Sequence, residues 1–424
     1  MVPSMESTAQ PQYISPDIAV VTGKTCSQRV LRNIHALEPN MAFNNRIYFL
    51  DYEDGRSTDS SFSLHPGPLT ADHVLKVSGR FWGTAKVENE VSCLLLLERY
   101  CSEVPAPRVI AYSRDGVMVH VVDRRASDGI PQALRTYAHS TADGSGTHSW
   151  ILMTRCAGER LKAGDIQDPH IVKHLARYVA QWRRQFPHVN RIGNIRSQSF
   201  CERDLMGMIE SFPALPRHNI AGVFECAHEP LETLCTPLSY SRYRILDQLA
   251  KLEANEKLAA NREELLVLVG DFVKYSLPNT YLGRAKDKPS VFTHNDLSPR
   301  NILVSHTGQV TGVLDFDFAG FFPEVEEFTN LEVHNFDDWP TFTLEALYAE
   351  LKMLHVDTPS YGLNKRSWDE VKLLAEVTTN IAPWWLLEAS MEGEDLDVEL
   401  QKAKKLVKDG IAVLTAQSAS NPQE

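Results

Sequence analysis

The stretch VFTHNDLSPRNILVSHTGQVTGVLDFDFAGF, Val291 to Phe321, decides how this chain is read. It holds two apolar runs of strand length, NILVS and VTGVLDF, on either side of the turn-forming SHTGQ. His294, Asp296, Asn301, Asp315 and Asp317 stand around them in fixed order. Strands disfavour Asp unless something else requires it. A hairpin turning at SHTGQ brings Asn301, at the entry of the first strand, close to Asp315, at the end of the second. Two oxygen ligands so placed suit Mg²⁺, which takes few protein oxygens and fills its octahedron with phosphate and water. Asp296, on the loop before, is then placed to accept a hydrogen bond from an attacking hydroxyl. An Asn and an Asp on the metal, with a separate carboxylate orienting the nucleophile, is a phosphoryl-transfer layout. The bland alternative makes Asp296 and Asp315 loop caps and His294 a core histidine. Order, spacing and flanking strands together favour the chemistry.

The rest of the chain divides by texture. Residues 40–155 are strand-rich, with NRIYFLDY, HVLKVSG, RVIAYS, VMVHVVD and SWILMTR, interrupted by one helical stripe, VENEVSCLLLLERYC. A polar stretch near 123–148 reads as a surface insertion. After Gly158, long amphipathic stretches dominate, so the fold class expected is α+β, a β-rich lobe followed by a mostly helical one. The boundaries expected are a polar segment 1–20, an N-terminal lobe 21–153, a C-terminal lobe 154–416 and a polar tail 417–424. Lys76 lies inside an apolar strand, where a lysine needs a partner. Glu90, early in the following helix, supplies one, with Glu88 as its competitor. A strand Lys paired to a helix Glu is how kinases hold the α- and β-phosphates.

The segment THNDLSPRNILV…GVLDFDFAG resembles the motif of the aminoglycoside phosphotransferase and choline kinase family, whose fold is similar to that of protein kinases. Family members carry Gly where this chain has Asn295. VPAPRVIAY (Val104–Tyr112) and ILMTRCAGERL (Ile151–Leu161) also look like the family. The resemblance implies a protein-kinase-like bilobal fold and an ATP- and Mg²⁺-dependent transfer to a hydroxyl. It implies Asp296 as the catalytic carboxylate, Asn301 and Asp315 as metal ligands, and Lys76 with Glu90 at the nucleotide phosphates. Backbone groups from Thr154 to Cys156 would take the adenine, with Met153 either flanking the ring or packed in the core. The phosphate-covering place, Glu38 to Leu50, has no Gly, but its Asn45 is similar to an Asn that family members carry before the strand. Two other classes are weighed: a kinase-like scaffold without catalysis, and a protein kinase. Lys76, Asp296, Asn301 and Asp315 are all present, against the first. Asp315 is not followed by Phe-Gly and no Ala-Pro-Glu closes an activation loop, against the second.

Composition bounds the partners. The 424 residues carry 43% apolar and 23% charged side chains and a net charge of −12, so a nucleic-acid binder with a basic face is not expected. Seven scattered cysteines without a C-x-x-C pair suggest reduced thiols, and no 18-residue apolar run suggests a membrane. A cytoplasmic protein is therefore expected. From Asn301 to Leu351 there is no Lys or Arg, while Asp315, Asp317, Glu324, Glu326, Glu327, Glu332, Asp337, Asp338, Glu345 and Glu350 all fall there. The bland reading is a solvated acidic face. The sharper one is an acidic cleft wall, with Asp317, Glu324 and Glu327 near its mouth, drawing in a cationic alcohol. Trp339, Trp384 and Trp385 would add a cation–π wall, if they are not simply core.

Overall fold

The computed structural model describes residues 31–37, 45–52, 73–79, 83–123, 132–138, 148–162, 166, 168–186, 189–197, 218–220, 223, 226, 230, 232–285, 289–334, 338–388 and 392–419. The expected N-terminal segment 1–20, most of the phosphate-covering loop and the last residues of the tail lie outside them.

The N-terminal lobe is built on one seven-stranded antiparallel sheet. Its strands are β1 (Leu31–Ala36), β2 (Asn45–Tyr52), β3 (His73–Ser78), β4 (Val109–Ser113), β5 (Met118–Asp123), β6 (Gln132–Ala138) and β7 (Trp150–Thr154), in spatial order 1-2-3-7-4-5-6. The polar stretch near 123–148 contributes β6, an edge strand in register with β5. Successive side chains on a strand face opposite ways. On β7, Ile151 and Met153 join the main core while Trp150 and Leu152 join a second cluster on the far face of the sheet. Lys76 stands opposite Ile151 and shares the Met153 face, so the pleat alone aims its ammonium at the cleft.

Helix α1 (Gly83–Tyr100) lies between that sheet and the second lobe. It is buried all round from Lys86 to Leu97, which the run of Val, Cys and Leu explains and the charged residues at its start do not. The chain leaves β7 through Gly158, whose φ of +107° and lack of a Cβ are both needed. A Cβ there would stand 2.6 Å from the Val304 carbonyl oxygen. The short β8 (Glu159–Arg160) can then pair with a strand of the second lobe.

The second lobe is mostly helical. Helix α2 (Pro169–Gln185) starts under an Asp168 cap that accepts from the His170 N–H, with Pro at the first position. The strands β9 (Ile195–Ser197) and β10 (His218–Ile220) pair with each other. The long amphipathic run after residue 240 is two helices, α3 (Pro237–Ala254) and α4 (Ala259–Asp271). The break falls at Asn255, which adopts extended backbone and caps the next turn. Four short strands follow, β11 (Val291–Thr293), β12 (Ile302–Val304), β13 (Val310–Val313) and β14 (Gly320–Phe322). Helices α5 (Thr341–Met353), α6 (Lys365–Ile381) and α7 (Gly393–Ala419) complete the lobe.

One core runs through both lobes, from Val87, Leu94 and Met153 to Phe292, Phe316, Trp339 and Trp368. A second, formed by α3, α4, α6 and α7, stands beside it. Among the described residues no helix is long and apolar enough to cross a membrane.

Candidate active site

The hairpin expected from the sequence forms: Ile302 pairs with Val313, and the Leu314 N–H donates to the Asn301 carbonyl at 2.8 Å. Asn301 and Asp315 therefore stand side by side at one end of β12 and β13. Asp315 sits in the left-handed region, φ +65°, which Asp tolerates better than most residues. Asn295 also has a positive φ, +59°. That explains why family members carry Gly at this position and why Asn can replace it.

The loop from His294 to Asn301 is held from within. Asn301 donates its side-chain amide to both the carbonyl and a carboxylate oxygen of Asp296, at 2.9 Å each. Arg300 donates to the other Asp296 oxygen at 2.6 Å and to Asp338 at 2.6 Å. His294 accepts the Asp296 N–H on Nδ1 and meets the Leu314 carbonyl with Nε2, at 3.2 and 2.9 Å. It is fully buried, and burial pushes its pKa down to about 4, so the ring is neutral and Nε2 carries the proton. His294 is thus a core histidine that ties the 294–301 loop to the end of β13.

Across the cleft, Lys76 donates to both Glu90 oxygens (2.9 and 2.8 Å), to Asp315 (2.6 Å) and to Asp317 (2.7 Å). Glu90 is thereby the helix partner, while Glu88 pairs with Arg114 at 2.8 Å. Burial alone would depress the Lys76 ammonium, but Asp315, Asp317 and Glu90 hold it well above its usual value. Burial and the neighbouring Asp317 push Glu90 and Asp315 upward. Burial acts on Asp317 in the same sense, yet Lys76 and Lys86 together hold it well below the ordinary carboxylate range. Glu90, Asp315 and Asp317 offer carboxylate oxygens within 4.8 Å of one another, but Glu90 and Asp317 are buried against Lys76 and Lys86, and the Asp315 side chain, 31% exposed, is the hard-oxygen ligand of the three that fits Mg²⁺. Asn301 stands beside Asp315 at the end of the hairpin with its amide N–H groups committed to Asp296, so its ligand atom would be the amide oxygen.

Asn45 reaches this cluster. It donates to Asp317 at 3.3 Å and accepts from Lys86 at 3.1 Å. Lys86, which the sequence reading passed over, pairs with Asp317 at 2.6 Å and is 1% exposed. A lysine in the first turn of a helix ordinarily reads as surface, so nothing local marks it. Asn89, one turn on, donates to the Asp317 and Ala319 carbonyls at 2.7 and 2.8 Å, fixing α1 to the segment from Asp315 to Ala319.

At the lobe junction, the Thr154 N–H donates to the Arg108 carbonyl and its hydroxyl accepts the Arg108 N–H, both at 2.9 Å. Met153 is buried in the main core at the cleft face. Burial lifts the Cys156 thiol to about 12, so it stays protonated.

Several acidic residues are not where the charge pattern put them. Glu327, expected at the cleft mouth, is 1% exposed, with one oxygen accepting the His294 N–H at 2.9 Å and the other the Asn295 N–H at 3.3 Å. The buried Arg183 is its counter-ion, and also donates to the Glu324 carbonyl at 3.1 Å. Asp317 is likewise 1% exposed, so neither residue forms an open wall. Asp337 lies outside the described residues, and eight of the nine described acidic residues in the basic-free run face cations from outside it: Lys76 and Lys86, Arg183, Arg244, Lys372, Arg300 and Lys173. Trp339 is buried and donates to the Leu297 carbonyl at 2.9 Å, a support for the 294–301 loop. Trp385 packs on the second core, with Trp384 against it edge to face.

The sequence matches the phosphotransferase enzyme family over residues 43–355. Two solved structures share the fold over nearly their whole length. One is the ADP-bound aminoglycoside phosphotransferase APH(2'')-Ib, with a TM-score of 0.51 and 10% identity, covering 93% of this chain and 99% of that one. The other is the ternary complex of APH(2")-IIa with streptomycin and ATP, with a TM-score of 0.50 and 11% identity, covering 94% and 99%. At such identity the likeness shows the fold, the protein-kinase-like one, and nothing finer. No curated protein matches the sequence.

Proposed function

The chain belongs to the phosphotransferase enzyme family, and we propose that it transfers the γ-phosphoryl group of ATP to a hydroxyl of a small molecule. The observation that carries this reading is the pairing of two constellations. Lys76 is bonded to Glu90, Asp315 and Asp317 on one side, and Asp296 is clamped by Asn301 and Arg300 on the other. Lys76, anchored by Glu90, is the cation for the α- and β-phosphates. The Thr154 carbonyl and the backbone to Cys156 take the adenine edge, with Met153 beneath the ring. Asn301 and Asp315 would hold Mg²⁺, which when bound neutralises charge on the phosphate oxygens. Asp296 accepts the acceptor hydroxyl. Its orientation is set in advance, and positioning is most of what this chemistry asks of the protein.

The acceptor is read as cationic on the acidic excess of the chain, a net charge of −12. With most of the local carboxylates already paired, the attraction is the weak field of the whole molecule and not a ten-carboxylate wall. The fold neighbour solved with streptomycin and ATP takes a hydroxyl-bearing cationic compound, in keeping with the reading. ATP consumption measured with a panel of amine alcohols, neutral polyols and hydroxy acids tests it. Turnover stimulated by an amine alcohol is the expected result, and no ATP binding or turnover under any condition would refute it.

A further inference from the structure

The phosphotransferase reading above uses one buried lysine, but the structure buries two in the same cluster. Lys86 lies in the first turn of α1, where the unpaired N–H groups of a helix disfavour a cation. It is 1% exposed, where an unpaired ammonium is costly. Asp317 offsets both penalties with a carboxylate that is divided, Oδ1 to Lys76 at 2.7 Å and Oδ2 to Lys86 at 2.6 Å. Asn45 braces that second oxygen from β2 and accepts from Lys86.

The division matters because Lys76 is over-committed. Its ammonium has three N–H groups and meets four carboxylate oxygens on three residues. To bind phosphates, it must give up contacts with Asp315 and Asp317. Asp315 is a candidate metal ligand and has a second cation to receive. Asp317 has none from the nucleotide, and a buried carboxylate that loses its counter-ion is strongly destabilised. Lys86 is the cation already in place.

We propose that Lys86 is a positioning residue of this active site, the standing counter-ion of Asp317 that frees Lys76 for the nucleotide phosphates. Lys86 itself touches neither nucleotide nor acceptor. Without it, Asp317 retains Lys76, and the nucleotide must compete with a buried ion pair.

The proposal rests on the phosphotransferase reading, and the test separates the two. ATP affinity is measured by calorimetry with and without Mg²⁺, alongside the acceptor KM, for the wild type, Lys86→Arg, Lys86→Met, and Lys86→Met combined with Asp317→Asn. Losing the pair should weaken ATP binding of Lys86→Met about 10- to 100-fold, less than the full cost of a broken buried ion pair because Asp317 can keep Lys76. The acceptor KM should stay unchanged. Lys86→Arg should bind within about threefold of the wild type, because an arginine still supplies the charge. The double variant should regain most of the lost affinity, because its Asp317 position no longer needs a cation. A role confined to holding the fold predicts no recovery. Should Lys86→Met fail to fold, the charge-neutral double variant decides: ATP binding close to wild type supports the proposal, and loss of binding overturns it. Unchanged ATP affinity in a folded Lys86→Met overturns it too. A wild type that binds no ATP removes the phosphotransferase reading and this one together.

Discussion

Asn301 closes on Asp296 twice, through its carbonyl and its carboxylate, at 2.9 Å in each case. A candidate metal ligand thus fixes the candidate base. With Arg300 on the other carboxylate oxygen, Asp296 has little rotational freedom left. Asp296→Asn keeps the size and removes the acceptor charge. It should lower kcat by on the order of 10²-fold or more while leaving ATP affinity nearly intact. A variant that turns over within a few-fold of wild type would show that Asp296 is not the base.

Asp315→Ala should act on a different quantity. It removes a candidate metal ligand and one of the three carboxylates on Lys76. The Mg²⁺ concentration needed for half-maximal ATP binding should rise at least about tenfold, with turnover falling in parallel. Mg²⁺ titration of ATP binding reads this directly, and an unchanged midpoint would remove Asp315 from the metal.

Glu327 should matter for stability more than for acceptor binding. Its truncation to Ala strands Arg183 in the core and leaves the His294 and Asn295 N–H groups unmet. Removing one partner of a buried pair costs about 3–5 kcal/mol. Urea denaturation of Glu327→Ala, Arg183→Met and the double variant should give a coupling above about 1 kcal/mol. Additive losses would mean that the two side chains are independent.

These residues show which parts of the site the sequence reveals. The strand period aimed Lys76 at the cleft, and the hairpin turning at SHTGQ put Asn301 beside Asp315. Both are local properties, readable within one element. Glu327 and Lys86 were not readable, because burial of a charge is decided by its partner. Asp317 and Lys76 are 241 positions apart, and Arg183 meets Glu324 across 141. The acidic run of Asn301 to Leu351 looked unbalanced only along the chain. In space its cations arrive from α1, α2, α3 and α6.

Stability should fall on acidification through pH 6.5 toward 4. His294 is held at about 4 by burial, below the ordinary histidine value of 6.5. Between those values the unfolded chain binds a proton that the folded one refuses, so stability is complete above 6.5 and declines as pH falls. His294 contributes up to roughly 3 kcal/mol. Equilibrium unfolding at pH 7.5, 6.0 and 5.0 should show the decline, and His294→Gln, which removes the titrating ring, should flatten it. A flat profile over that range would mean that the His294 ring is protonated in the folded state.

The acceptor's charge is open to a salt experiment, and the ion pairs set its size. A bare wall of ten carboxylates would bind a cation with a steep salt dependence. Here Lys76, Lys86, Arg183, Arg244, Arg300, Lys372 and Lys173 already balance eight of them. What remains is the long-range field of a chain with net charge −12, screened over about 10 Å at 0.1 M salt and about 3 Å at 1 M. The acceptor KM should therefore rise only modestly, about two- to threefold, between these salt concentrations. Each amine removed from the acceptor should shrink that slope. A best acceptor that is neutral or anionic, with a KM indifferent to salt, would end the cationic reading while leaving Asp296 and the Lys76 cluster in their roles.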